Sequence, residues 1–210
     1  MCLTNIIFRR GYAKKMGISA KEIDGIIFTW NRALKARKDF VMNHPKKLEI
    51  TRKILDARPN SKAITFSATI KQAEKIGIGY TVHSGNTKKK NKLTMEEFRD
   101  LKYGVINSSK SLIEGADIPG LNLAIILCGN SSQTAKTQSL GRVIRYEEGK
   151  NAEVFTLVIK GTMEENWYST ATQGKSYIEI TESELDAILN NVEINTVEKE
   201  AVASDLLFRL

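Results

Sequence analysis

The sequence predicts an α/β fold, a parallel sheet with helices on both faces, preceded by a helical connector. Three observations predict it. Between residues 62 and 159, short runs rich in Ile and Val alternate with segments of helical character. Those runs are apolar nearly throughout, as strands buried on both faces are. The chain of 210 residues, 41% apolar and 27% charged, is long enough to bury a substantial core.

Each element follows from local chemistry. Ser19 caps a helix reaching about Asn43, with Glu22 at the capping-box position and Ile23, Ile26, Ile27, Trp30 and Leu34 at helical spacing. Pro45 opens a second helix, with Leu48, Ile50, Ile54 and Leu55 as its apolar positions, ending near Pro59-Asn60. The alternation then begins. KAITFS (62–67) is a strand, TIKQAEKI (69–76) a helix, YTVHS (80–84) a strand and TMEEFRDL (94–101) a helix. YGVINS (103–108) is a strand, SKSLIEG (109–115) a short helix, LNLAIIL (121–127) a strand, TAKTQSLGRVIR (134–145) a helix and EVFTLVI (153–159) a strand. Beyond Lys160 come a helix near Glu164–Thr170, a YIEI strand, a helix over about 182–190, and an apolar terminus, LLFRL, that tucks onto the domain or docks with a partner.

Charge divides the chain. Residues 1–60 carry a net +9, residues 61–162 a net +6 and residues 163–210 a net −7. The organisation therefore reads as a basic helical connector (1–60), an α/β lobe (61–162) and an acidic extension (163–210). Excess positive charge ahead of residue 162 suits a polyanion partner or a solvated surface. No apolar run approaches the roughly 18 residues of a membrane span, so no membrane partner is expected. Residues 1–18 are basic and lack acids, as transit peptides do, but have no uninterrupted apolar signal core. Cys2 and Cys128 lie far apart with no histidine cluster, which predicts neither a disulfide framework nor a metal site and suits a reducing, cytoplasmic setting.

The stretch QSLGRVIR (138–145) carries the chemistry. On a helix, Gln138, Arg142 and Arg145 share one face, Leu140, Val143 and Ile144 dock elsewhere, and Gly141 permits close approach by a backbone or phosphate. A guanidinium is a planar, permanently charged fork suited to a phosphoryl group. By spacing alone, the same face is equally an ordinary basic helix surface.

Its company gives the face meaning. S-K-S-L-I-E-G-A-D-I-P (109–119) follows a strand and is followed by another strand and then Q-x-x-G-R-x-x-R. This order resembles motifs V and VI of the second RecA-like lobe of superfamily 2 helicases. KAITFSAT (62–69) resembles the motif IV strand, and VHSG (82–85) the turn before the basic helix that precedes motif V. Motif VI begins with Gln rather than His, which is closer to the phage-type and repair-type DNA helicases than to the DEAD-box RNA helicases.

The resemblance implies roles. Arg142 and Arg145 are arginine-finger candidates for the γ-phosphate of ATP, and Gln138 positions the nucleotide or couples two lobes. Gly115 and Asp117 lie at the ribose side, with Asp117 as acceptor for a sugar hydroxyl or simply a loop-capping carboxylate. Ser109 would hold a nucleic-acid phosphate; Ser67 and Thr69 would do likewise or cap the next helix. His83 and Ser84 resemble backbone-contacting positions, or are hydrogen-bonded turn residues. Lys88, Lys89 and Lys90 meet phosphates or only solvent. Trp167 and Tyr168 pack on the lobe or stack on a base.

A complete motor also needs a phosphate loop and an acidic metal motif. STATQGKS (169–176) has serine where the loop's first glycine belongs and precedes a strand instead of a helix, so it reads as a turn. No D-E-x-H or D-E-x-D stretch occurs. The expected cofactor, ATP with Mg²⁺, is thus held mainly by a first RecA-like lobe supplied in cis or in trans, with DNA or RNA as the other partner. The alternative is a binding or regulatory module derived from a helicase lobe, without catalysis.

Overall fold

The computed structural model describes residues 15–109, 118–128, 152–171, 177–191 and 205–209. Contacts divide the chain into Met1–Val41 and Met42–Leu210. In the first unit, helix α1 (Ala20–Met42, its last residue in the second unit) begins at a reciprocal cap: the Ser19 N–H donates to Glu22 Oε2 at 2.9 Å and the Glu22 N–H to Ser19 Oγ at 3.3 Å. Of its expected apolar stripe only Ile23 is buried, while Ile26 and Trp30 are exposed.

In the second unit, α2 (Pro45–Ala57) opens on Pro45, with His44 Nδ1 accepting from the Lys46 N–H. There follow β1 (Lys62–Ser67), α3 (Ile70–Ile76), β2 (Tyr80–Val82), α4 (Lys88–Asp100), β3 (Gly104–Ser109), β4 (Leu123–Ile126), β5 (Glu153–Val158), α5 (Met163–Ala171), β6 (Tyr177–Ile180), α6 (Glu182–Leu189) and β7 (Asp205–Arg209). The strands form one parallel sheet in the order β2-β3-β1-β4-β5-β7-β6. Strand alternation divides the core between two faces. Ala63, Leu123, Ile125, Phe155 and Leu157 pack with Ile50 and Ile54 of α2, Ile76 of α3 and Leu185 of α6. Ile64, Ile106, Ala124 and Val154 face the other way, onto Phe98 of α4.

This unit is wider than the 61–162 lobe read from the sequence. It takes in α2, whose Ile50 and Ile54 are wholly buried, and the acidic segment, because β6 and β7 extend the same sheet. The apolar terminus is an inner strand, with β7 lying between β5 and β6. Helix α4 starts at Lys88, capped by Thr87, six residues before the helix expected at 94–101. Its first half, KKKNKL, has no apolar periodicity to reveal it; Asn91 anchors it instead, donating to His83 O at 2.9 Å.

Buried polar groups fix the frame. Asn107 of β3 donates to Ile78 O at 2.7 Å and Tyr80 O at 3.0 Å, and accepts from Thr65 Oγ1 at 2.8 Å, so that it pins the entry to β2. Gly79 makes that entry possible: at φ +76° its added Cβ would lie 2.2 Å from Val105 O, which only glycine avoids. Lys47 of α2 and Glu164 of α5 form an ion pair at 2.6 Å with both side chains 0% exposed. Lys47 also donates to Leu127 O at 2.8 Å, and Glu164 accepts from the Ile159 N–H at 3.2 Å, so the pair holds the carboxyl ends of β4 and β5. Burial pushes the Lys47 ammonium below its ordinary range, against the pull of Glu164.

Candidate nucleic-acid interface

Because the strands are parallel, their carboxyl ends share one edge, where ligands bind in open α/β sheets. Ser67 ends β1 and Ser109 ends β3, and the two are register partners. Val82 pairs with Ser108, which puts His83 at the same edge, one residue beyond β2. The structure thus brings together Ser67, Ser109 and His83, which are distant in sequence. All three are buried, Ser67 at 0% and Ser109 at 1% exposure. The hydroxyls of Ser67 and Ser108 have no hydrogen-bond partner, an unusual state for buried polar atoms.

Thr69 has a structural duty. It caps α3, accepting from the Gln72 N–H at 3.1 Å and donating to Asn43 Oδ1 at 2.7 Å. His83 is also tied locally: Nδ1 accepts from the Gly85 N–H at 3.1 Å, which assigns the ring proton to Nε2, 3.4 Å from Glu74 Oε1. Ser84 is exposed on the following turn.

Lys88, Lys89 and Lys90 form the first turn of α4, exposed, with no acid in that turn and no ion pair to any described residue. The amino end of a helix carries partial positive charge, so each lysine there costs about 0.3–1 kcal/mol unless an anion compensates. Lys92, a turn later, approaches Glu96 at 3.8 Å.

Gln138, Arg142 and Arg145, between β4 and β5 in the chain, lie outside the described residues, as do Gly115 and Asp117, between β3 and β4, and most of the 169–176 turn. Trp167 packs against Met42, Ala68 and Cys128, and Tyr168 stacks edge-on with Tyr177 at 5.2 Å, so both aromatics are packing residues here. Sequence reasoning passed over Gln72, Asn91, Asn107 and the Lys47–Glu164 pair. One signal for Gln72 existed. Thr69-Ile-Lys-Gln72 has capping-box spacing, although the side chain reaches one residue beyond the cap.

Residues 46–147 match the helicase conserved C-terminal domain. The chain carries a superfamily 2 helicase C-terminal lobe. This helicase lobe is 30% identical over 151 residues to the DNA 3'-5' translocase XPB2 of Sulfurisphaera tokodaii, an alignment covering 70% of this chain and 33% of the relative. The chain therefore spans about a third of that relative's length. Among solved structures, the C-terminal domain of Dbp5 from S. cerevisiae superposes with a TM-score of 0.53 at 14% identity, covering 80% of this chain and 85% of that one. The DEAD-box protein SrmB of E. coli gives 0.52 at 11% identity, covering 78% and 83%. At those identities the likeness concerns fold, and it agrees with the parallel sheet and two-sided helical cover of the helicase lobe.

Proposed function

We propose that this lobe is the second motor lobe of an ATP-dependent DNA helicase or translocase. Its arginine fingers, Arg142 and Arg145, meet a nucleotide held mainly by a first RecA-like lobe in cis or in trans. Nucleic acid lies at the carboxyl edge of the sheet. The observation that carries the reading is that shared edge, where Ser67, Ser109 and His83 converge within a helicase C-terminal lobe. The cations of α4, which have no acid to answer them, favour a polyanion. DNA is preferred because the 30% identical relative is a DNA translocase.

In this reading Gln138 couples the nucleotide to the lobe, while Gly115 and Asp117 border the ribose. ATP with Mg²⁺ supplies the phosphoryl group to be cleaved. The lobe's contribution is to offset charge on that group with fixed guanidinium donors. Ser67 and Ser109 are buried, so a backbone phosphate meets their hydroxyls only when the groups over that edge move aside. The Ser84 hydroxyl and the ammonium groups of Lys88, Lys89 and Lys90 are reachable at once.

The test is reconstitution. The purified chain should hydrolyse no ATP alone and gain DNA-stimulated hydrolysis when a matching first lobe is added. Arg142→Ala should then lower kcat by roughly a thousandfold to a hundred-thousandfold. Hydrolysis by the isolated chain that Arg142→Ala abolished would refute the divided site.

A further inference from the structure

We propose that Gln72, in α3, is a positioning residue that shapes the β1–α3 loop for a nucleic-acid phosphate. The inference rests on the nucleic-acid reading above and adds a residue to it. Gln72 is 2% exposed in a seven-residue helix beneath the sheet's carboxyl edge. An apolar side chain of similar volume would fill that space without needing partners.

Its amide instead joins two backbone groups from different elements. Oε1 accepts from the Ala68 N–H at 2.8 Å, and Nε2 donates to Met42 O at 2.9 Å. The Gln72 backbone N–H donates to Thr69 Oγ1, whose hydroxyl donates onward to Asn43 Oδ1 at 2.7 Å. The loop Ser67-Ala68-Thr69 is thereby fastened to Met42 and Asn43.

The fastening is selective. It occupies the Ala68 N–H and the Thr69 hydroxyl, and it leaves the Ser67 hydroxyl, in the same loop, buried and without a partner. Buried hydroxyls rarely go unpaired unless something else completes them. Ser67 faces its register partner Ser109 across the β1–β3 ladder, so the loop conformation sets the spacing of the unpaired hydroxyl from its neighbour on β3. Gln72 touches no ligand in this scheme. It fixes the backbone that presents Ser67.

The test compares Gln72→Met, which keeps the volume and removes both amide bonds, with Ile54→Val, a core change remote from the loop. Binding of a fluorescent oligothymidylate to the full chain is followed across a salt series, at a temperature where all variants are folded. Amide exchange at Ala68 is measured in parallel. Gln72→Met should speed Ala68 exchange, weaken binding about tenfold and shallow the log–log salt slope by about 0.7, the loss of one single-strand phosphate contact. Ile54→Val should leave the slope unchanged. Wild-type binding with a normal slope that Gln72→Met leaves intact, even with faster Ala68 exchange, overturns the positioning role alone. Failure of the wild-type chain to bind at any salt overturns the nucleic-acid reading, and the role with it.

Discussion

Thr69 shows how one hydroxyl can serve two structures. It ends the exposed backbone of α3 by accepting from Gln72, and it ties the loop after β1 to Asn43 by donating. Thr69→Ala should cost roughly 1–2 kcal/mol, a lost cap plus a lost side-chain bond, read from the urea midpoint with an unchanged m-value. The Lys47–Glu164 pair makes a larger demand. Lys47→Met leaves a carboxylate in the interior without its counter-ion and should destabilise by about 3–5 kcal/mol, whereas adding Glu164→Leu should recover most of that loss. Recovery in the double variant, measured by denaturant titration, separates an unpaired charge from lost packing. Failure to recover would mean that the bonds to Leu127 and Ile159 matter more than the charge. These residues were the least legible in the sequence. Lys47 looks like any helical lysine, and its partner lies 117 positions away. Ser67, Ser109 and His83 were legible because each ends a strand, and strand ends in a parallel sheet share an edge.

At the scale of elements, the alternation of β1 through β5 with helices was readable from composition, since buried parallel strands need apolar side chains on both faces. The start of α4 was not, because KKKNKL is held by a Thr87 cap and by Asn91 instead of an apolar stripe. Helix α6 was readable from its cap. Thr181 and Glu184 form a reciprocal box, with the Thr181 N–H donating to Glu184 Oε2 at 2.5 Å. That backbone donor, followed by the Thr181 hydroxyl, holds the Glu184 carboxyl below its ordinary value of 4.5. A carboxylate depressed in the folded state stabilises above its unfolded pKa and loses that contribution as pH falls through the folded one. The stability difference between wild type and Glu184→Gln should therefore be constant above roughly pH 5.5 and shrink as pH drops below about 4.5, as thermal melts across that range would show. A gap that persists in acid would assign the box to geometry alone.

For the whole molecule, the boundary read from charge and the boundary set by packing differ. The acidic segment was set apart by its net −7, yet its strands lengthen the sheet, and Leu185 and Leu189 of α6 cover Ile50 and Ile54. Charge reports the surface; membership of a fold is decided by the interior, and the apolar content of YIEI and DLLFR carried that information. A chain ending at residue 162 should consequently lose cooperative unfolding and near-UV dichroism, although it retains all of the matched 46–147 region. Retention of a sharp transition by that fragment would show that α5, β6, α6 and β7 are an appendage.

The ion pair that bridges α2 and α5 also imposes an order on synthesis. Translation delivers the ammonium of residue 47 long before its carboxylate at 164 has left the ribosome. Throughout that interval the early helix cannot settle against the growing sheet without carrying a bare cation into oil, so the lobe completes its interior late, after nearly four-fifths of the message has been read.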